Sequence, residues 1–137
     1  MLVTSDNRDC TLEMFRTPND QYHCTVRLTL GRHSLENDYI YLDNAVAFIL
    51  SLRDLGKSRT GKAVLSGSED FEISFGADGG SGAIAINAAL TRNFPASSSR
   101  TGHTRMGKAS LQGTFTVSGE FVPEMVREFE ELLAGEA

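Results

Sequence analysis

The stretch Asp70-Phe-Glu-Ile-Ser-Phe-Gly-Ala-Asp-Gly-Gly-Ser-Gly-Ala-Ile-Ala-Ile-Asn-Ala-Ala-Leu90 decides the fold. In its first part Phe71, Ile73 and Phe75 alternate with polar residues, and in its last part Ile84 and Ile86 alternate with Ala85 and Asn87. Two-residue alternation is typical of a strand that buries one face. Because the glycine-rich connector is short, the two strands are expected to pair antiparallel. We therefore predict a hairpin over residues 70–75 and 82–90.

Similar alternation predicts strands on both sides of this hairpin. They cover residues 10–16, 22–33, 38–42, 62–66 and 108–118. The turn at residues 17–21 contains Pro-Asn-Asp, a strong turn signal, and it joins the first two strands. A hairpin closed by that turn sets Met14 opposite Cys24, which leaves Cys10 about 13 Å away along the strand. A disulfide is therefore not expected, and both thiols are predicted to fill the core.

A first amphipathic helix is predicted from residue 43 or 44 to Leu55. Either Asp43 or Asn44 would cap it by accepting orphan backbone N–H bonds. Gly56 suits the left-handed position that ends a helix. The apolar face is expected to be deeply docked, and it consists of Leu42, Val46, Ile49 and Leu50, widened by Phe48, Leu52 and Leu55.

A second amphipathic helix is predicted from Pro123 to Gly135, since proline suits the first helical turn. Its apolar face contains Met125, Val126, Phe129, Leu132 and Leu133. The order of strands, helix, four strands and helix predicts an α+β fold. In it an antiparallel sheet of about six strands carries both amphipathic helices on one face. The chain of 137 residues suits a single domain over 1–137, with 1–9 frayed and 91–106 forming a long flexible loop.

Composition limits the classes of function. The formal net charge is −5, and a nucleic-acid-binding domain is more often basic, so nucleic acid is not the favoured partner. No apolar run reaches the roughly 18 residues of a membrane span. The N-terminus lacks a basic region followed by an apolar one, so no secretory signal is predicted. Two cysteines without a signal predict reduced thiols and a cytoplasmic location.

Several sequence motifs resemble known catalytic or ligand-binding motifs but lack the neighbouring residues or secondary structure that those motifs require. Gly-x4-Gly-Lys occurs at residues 56–62 and again at 102–108, but Ala63 and Ala109 stand where a phosphate loop needs Ser or Thr. Each also leads into a strand, whereas a phosphate loop leads into a helix. The three histidines are scattered and no Cys-x2-Cys pair exists, so neither a metal nor another cofactor is predicted. An enzymatic activity is not favoured.

Charge is segregated along the chain. Residues 91–108 hold four cations and no acid, whereas residues 119–137 hold six glutamates and one arginine. The first segment supplies the candidate binding residues, which are Arg92, Arg100, His103, Arg105 and Lys108. The ordinary interpretation is a solvated loop and a solvated helix face. The functional interpretation is a polar contact surface.

The order of elements resembles small uncharacterised bacterial families that include the WapI-type immunity proteins. The resemblance covers roughly residues 22–134. It rests on the helix Tyr41-Leu-Asp-Asn-Ala-Val-Ala-Phe-Ile-Leu-Ser-Leu52, on the strands Phe71–Phe75 and Ile84–Ile86, and on residues 115–133. It implies a protein that binds and blocks a cognate toxin, and it assigns no site residue. Residues 91–106 have no counterpart in it.

Two hypotheses follow. The first is a non-catalytic protein-binding module of the bacterial immunity type, whose acidic surface faces a basic, toxin-like partner. The alternative is a small-ligand or nucleic-acid-binding protein, or a small enzyme, that uses the basic segment 91–108. In either case an exposed edge strand would allow two subunits to pair as a homodimer.

Overall fold

The computed structural model describes residues 1–80, 82–96 and 105–134, with residues 95, 96, 105 and 106 given by their backbone alone. Its elements are, in chain order, β1 Leu2–Thr4, β2 Cys10–Arg16, β3 Cys24–Leu30, β4 His33–Ile40, α1 Ala45–Ser58, β5 Lys62–Ser66, β6 Glu72–Ala77, β7 Ala83–Ala96, β8 Arg105–Ser118 and α2 Val122–Leu133. A single 3-10 turn, Gly119–Phe121, leads from β8 into α2.

The strands form two antiparallel sheets of four, in the orders β1-β2-β3-β4 and β5-β6-β7-β8. The α+β class and the antiparallel meander are thus confirmed, whereas the single sheet of about six strands is wrong. The single strand predicted over residues 22–33 contains a chain reversal near its end. Gly31 has a φ of 62° and lies in a two-residue connection, because Leu30 pairs directly with His33. Glycine adopts this left-handed conformation at little cost, so the predicted single strand becomes a hairpin.

The two sheets are linked at the point where the chain leaves the first one. An isolated antiparallel bridge joins Leu42 to Gly67, and the Ser68 amide donates to the Tyr41 carbonyl at 2.8 Å. On the other side of the molecule the Asp6 amide donates to the Thr116 carbonyl in β8. Buried side chains from both sheets and both helices belong to one hydrophobic cluster.

The N-terminal residues are ordered, so the expectation that 1–9 are frayed is wrong. β1 pairs with β2, setting Val3 opposite Leu12, and the Val3 side chain is buried. The terminal amino group of Met1 donates to the Met14 carbonyl at 2.8 Å. A three-residue strand has too few side chains to show alternation, and its pairing depends on contacts with distant residues.

The β2–β3 register also differs from the prediction by two residues. Met14 pairs with Val26 and Arg16 with Cys24, so the connection runs over residues 17–23. The Asp20 carboxylate extends this turn by accepting the Tyr22 amide at 2.8 Å and the His23 amide at 3.0 Å. Cys10 and Cys24 lie at opposite ends of the ladder, and Cys24 is buried as predicted.

The two helices pack against each other, and α1 also packs on β5 and β6 of the second sheet, so the predicted placement of both helices on one face of a single sheet is not matched exactly. Phe48 of α1, Phe129 of α2 and Phe75 of β6 form a triangle with ring-centroid separations of 4.8, 5.7 and 6.0 Å. All three side chains are at most 1% exposed. Such tilted and edge-to-face pairs add about 0.5–1.5 kcal/mol each beyond the area they bury.

The buried face of α1 is not the predicted one. Phe48, Leu52 and Leu55 are buried, whereas Val46 is 76% and Leu50 54% exposed. The helix also continues past Gly56 to Ser58 and ends at Arg59, whose φ is 56°. Gly56 instead permits close helix packing, because a Cβ there would lie 2.9 Å from Cγ1 of Val122 in α2.

Asn44 precedes α1, as predicted, but its side chain does not cap the helix. Its Nδ2 donates to the Val64 carbonyl at 2.8 Å, and its Oδ1 accepts the Ser66 amide at 2.9 Å. Asn44 therefore ties the start of α1 to the outer edge of β5. The second helix follows its prediction closely, and its buried residues are Val122, Met125, Phe129 and Leu133.

Candidate functional surfaces

The basic segment begins and ends in a two-stranded ribbon. β6 pairs with β7 only as far as Ala89, but β7 and β8 continue to pair up to Ala96 and Arg105. Residues 90–96 and 105–111 thus extend beyond the last β6 pair, and we call them the ribbon. The expected loop over 91–106 is wrong at both ends, since 91–96 and 105–106 are strand. Residues 97–104 lie outside the described residues.

The base of the ribbon is held by a buried amide. Asn37 of β4 is 3% exposed, and its Nδ2 donates to the Thr91 carbonyl at 2.7 Å. The same Nδ2 donates to the Glu69 carboxylate, which is presented by the β5–β6 turn. Further along, the Phe94 ring covers Gly107, where an added Cβ would lie 2.6 Å from the ring. An aromatic ring over a cross-strand glycine stabilises such a pair.

Of the five predicted binding residues, the structure describes the side chains of Arg92 and Lys108 only, and it does not bring these two together. Arg92 pairs directly with Ala109, and Lys108 pairs with Asn93. Because neighbouring residues in a strand point to opposite faces, Arg92 and Lys108 lie on opposite faces of the ribbon. Lys108 also makes an exposed ion pair with Asp70 at 3.4 Å. Arg105 pairs with Ala96 in the ladder, whereas Arg100 and His103 lie outside the described part of the chain.

A second surface is the acidic helix face, which we define as Glu120, Glu124, Arg127, Glu128 and Glu131. Glu120 belongs to the 3-10 turn that precedes α2, and the other four residues lie on the side of α2 opposite its buried residues, as their three- and four-residue spacing requires. Arg127 contacts Glu131 at 2.9 Å and Glu124 at 3.9 Å, and all three side chains are more than half exposed. Four carboxylates against one guanidinium leave this face negative. Exposed ion pairs of this kind contribute little to stability.

A cleft of about 240 Å³ lies between the acidic helix face and β1. Buried Val3, Val117 and Met125 belong to its lining, as do Glu124 and Glu128. Leu2 and Phe121 also line it and remain 57% and 49% exposed. The cleft therefore combines apolar surface with two carboxylates. Sequence reasoning noted the glutamates but missed the cleft, because residues 1–9 were expected to be frayed.

A third surface is apolar and lies along α1. Val46 and Leu50 are exposed beside a shallow groove whose other wall is formed by Leu133 and Ala134 of α2. The Arg53 guanidinium crosses this groove and pairs with the Glu130 carboxylate. The sequence predicted that Val46 and Leu50 belong to the core face of α1, and the structure leaves both exposed.

Titratable groups elsewhere serve local structure. His23 Nδ1 lies 2.8 Å from Asp20 Oδ2. The backbone amide of Tyr22, followed by the His23 side chain, lowers the pKa of Asp20 by stabilising its charged form. Within the described ranges no three His, Cys, Asp or Glu residues cluster in a way that would hold a metal ion. None of the helices described here has the length and apolar character needed to cross a membrane.

The chain matches no protein-family model, no curated protein and no solved structure. The chemistry of the three surfaces is therefore what bears on function. Of these three surfaces, the acidic helix face is the one that borders a cleft whose described lining combines apolar side chains with carboxylates and no cation.

Proposed function

We propose that this protein is a non-catalytic binding module that holds a basic segment of a partner protein against the acidic helix face and its cleft. The observation that supports this proposal is that one cleft contains both apolar side chains and the carboxylates of Glu124 and Glu128. The resemblance to WapI-type immunity proteins suggests a basic, toxin-like protein as that partner.

The cleft matches the side chains of arginine and lysine. Each has an apolar stem that packs on hydrophobic surface while its charged head stays near water. The stem would lie on Val117 and Met125, and the head would reach the carboxylate of Glu124 or Glu128. Charge-assisted hydrogen bonds of arginine to carboxylates are stronger than neutral ones and can be bidentate. Leu2 and Phe121 offer further apolar contact at the rim.

The charge of the whole chain supports the same partner. With a net charge of −5, the protein attracts a basic molecule over a distance of about one Debye length, roughly 8–10 Å at physiological salt. This attraction mainly raises the association rate and excludes acidic competitors. Contacts inside the cleft would slow the dissociation of the bound partner.

The test uses an arginine-rich peptide and free arginine amide as probes. We expect NMR titration to shift the methyl signals of Leu2, Val117 and Met125 together. We expect the double variant Glu124→Gln/Glu128→Gln to weaken peptide binding at least tenfold, as measured by fluorescence anisotropy.

The matched control is Asp54→Asn/Glu72→Gln, which removes the same charge from α1 and β6. It should weaken peptide binding less than threefold. Equal weakening by the two double variants would mean that only net charge matters, and it would refute the cleft as the binding site. Methyl shifts confined to α1 would refute it as well.

A second candidate function rests on the ribbon. A two-stranded β-ribbon fits the major groove of B-DNA, and residues 91–108 carry four cations without an acid. The variant Arg92→Gln should reduce the salt dependence of binding to duplex DNA or RNA by about one phosphate contact. Wild-type protein that fails to bind either nucleic acid at 50 mM salt would eliminate this candidate.

A further inference from the structure

The exposed apolar residues of α1 belong to a regular stripe. We define the α1 outer stripe as Asp43, Val46, Leu50, Arg53 and Lys57, whose spacing along the chain alternates between three and four residues. In a helix this spacing keeps the residues on one side, and it is the spacing of the seam in a two-stranded coiled coil. The opposite side of α1 is already used by Phe48, Leu52 and Leu55 in the core.

The stripe is apolar in its middle and charged at its ends. Leu50 and Val46 are more than half exposed, which is unusual for neighbouring large apolar residues on one helix face. Asp43 lies just outside the helix, directly before the N-cap residue Asn44, and Lys57 lies in the last turn. Because the charges at the two ends are opposite, two copies of the stripe that run antiparallel place unlike charges next to each other.

We propose that two copies of this chain pair through their α1 helices, antiparallel, about a two-fold axis at Leu50. In this arrangement Leu50 meets Leu50 of the second copy, and each Asp43 meets Lys57 of the second copy. Val46 packs against the stem of Arg53 from the other helix. A parallel arrangement would instead set Asp43 against Asp43 and Lys57 against Lys57, and like charges in register repel.

The charge of the stripe selects a second copy as the occupant. Two copies that each carry −5 repel one another wherever their acidic surfaces meet. The outer side of α1 carries only one net negative charge, since Arg53 and Lys57 oppose Asp43, Asp54 and the Glu130 carboxylate that pairs with Arg53. Identical acidic chains therefore meet on this face with less repulsion than at the acidic helix face. The acidic helix face projects from the other helix and stays open, so the dimer would present two binding clefts.

The size of the stripe sets the expected affinity. A helix of 14 residues is about 21 Å long, so a single helix pair buries less than a standard protein interface. The dimer should therefore be weak, with a dissociation constant on the order of 1–100 μM. The groove beside Leu133 and Ala134 adds apolar contact at the margin.

The experiment is sedimentation velocity on the full chain from about 1 to 300 μM, a range that spans the expected constant. Wild type should shift from monomer to dimer, and Leu50→Glu should remain monomeric with an unchanged circular dichroism spectrum. Tyr22→Glu is the matched control, because Tyr22 is 64% exposed and lies in the β2–β3 turn. It should dimerise like wild type. A wild-type chain that stays monomeric at 300 μM overturns the proposal.

Charge reversal tests the orientation. Asp43→Lys and Lys57→Asp should each weaken dimerisation at least fivefold, and the double variant should recover most of the loss. Failure of the double variant to recover would refute the antiparallel register. A dimer that persists in Leu50→Glu would place the contact elsewhere, for example at one of the edge strands β1, β4, β5 and β8. None of these results depends on peptide binding. The dimer proposal can therefore be refuted without refuting the proposal that the cleft binds a basic partner.

Discussion

Gly67 lies where the two sheets join, and replacing it with alanine should strain that junction. A Cβ at this position would lie 2.5 Å from the Tyr41 carbonyl oxygen, 3.2 Å from Ile40 Cγ2 and 3.2 Å from Phe71 Cδ2. The first contact is with backbone, which cannot rotate away as a flexible side chain can. The φ of Gly67 is outside the left-handed range, so the cost of Gly67→Ala comes from the lack of space.

The magnitude follows from two contributions. Inserting a methyl group into a filled site costs about 1–3 kcal/mol. Displacing the Tyr41 carbonyl also weakens its hydrogen bond from the Ser68 amide, which is 2.8 Å long and worth about 1 kcal/mol. We therefore expect Gly67→Ala to lower the free energy of unfolding by about 2–4 kcal/mol. For a chain of this length that corresponds to a decrease in Tm of roughly 8–16 °C.

Urea and thermal unfolding followed by circular dichroism measure this effect. The matched control is Gly76→Ala in β6, where the nearest described atom would be 3.8 Å from the new Cβ and φ is again outside the left-handed range. Alanine there should leave stability unchanged or raise it by up to about 1 kcal/mol, because glycine loses more entropy on folding. Equal stability of Gly67→Ala and wild type would refute the close approach of Tyr41 to Gly67.

Two further predictions concern single polar side chains. Asn44→Ala should lower the free energy of unfolding by about 1–3 kcal/mol in urea titration, because it removes bonds to Val64 and Ser66 and leaves a carbonyl and an amide unpaired. For Asp20, hydrogen bonds lower the folded pKa below the ordinary 3.8, so its stabilisation is complete above that value and is lost as pH falls through the folded pKa. Asp20→Asn should therefore have a lower Tm than wild type at pH 5, and this difference should shrink as pH falls below 3.8. A Tm difference that stays constant as the pH is lowered would contradict this cause.

The second sheet was predictable because its signals are local. β5 runs from Lys62 to Ser66 as predicted, and β6 begins within two residues of its predicted start. Alternation fixes which side chains of a strand share a face, and short connectors require antiparallel neighbours. The apolar face of α2 was predictable for the same reason, since its helical periodicity is unambiguous.

The division into two sheets was not predictable from alternation. Apolar residues alternate from Cys24 to Leu30, and the chain reverses directly after them at Gly31 and Arg32. The two-residue connection sets Leu30 opposite His33, so the alternation changes phase there, and β4 has too few apolar residues to show the new phase. The pairing of β1 with β2 is likewise set by the burial of Val3, which depends on distant parts of the chain.

The sequence predicts which charged residues the candidate surfaces contain, but it does not predict how those residues are arranged in space. The sequence alone separates the cations of residues 91–108 from the acids of residues 119–137. Which cations share a face depends on the β7–β8 register, which sets Arg92 opposite Ala109 and Lys108 opposite Asn93. The serine- and proline-containing stretch around Phe94 is typical of a loop, and it is the packing of Phe94 on Gly107 that favours a ribbon.

In α1 the helical periodicity of the sequence predicted the wrong buried face, and the residues wrongly expected in the core form the candidate dimer interface. The helix carries two apolar stripes, one with Phe48 and Leu52 and the other with Val46 and Leu50. Helical spacing cannot rank them, because both recur at intervals of three and four residues. The aromatic ring decides, since Phe48 can meet Phe75 and Phe129 while Val46 has no comparable partner in the described structure. Once the larger stripe is buried, the smaller one is left facing outward, and this exposure is the reason for proposing that a second copy covers it.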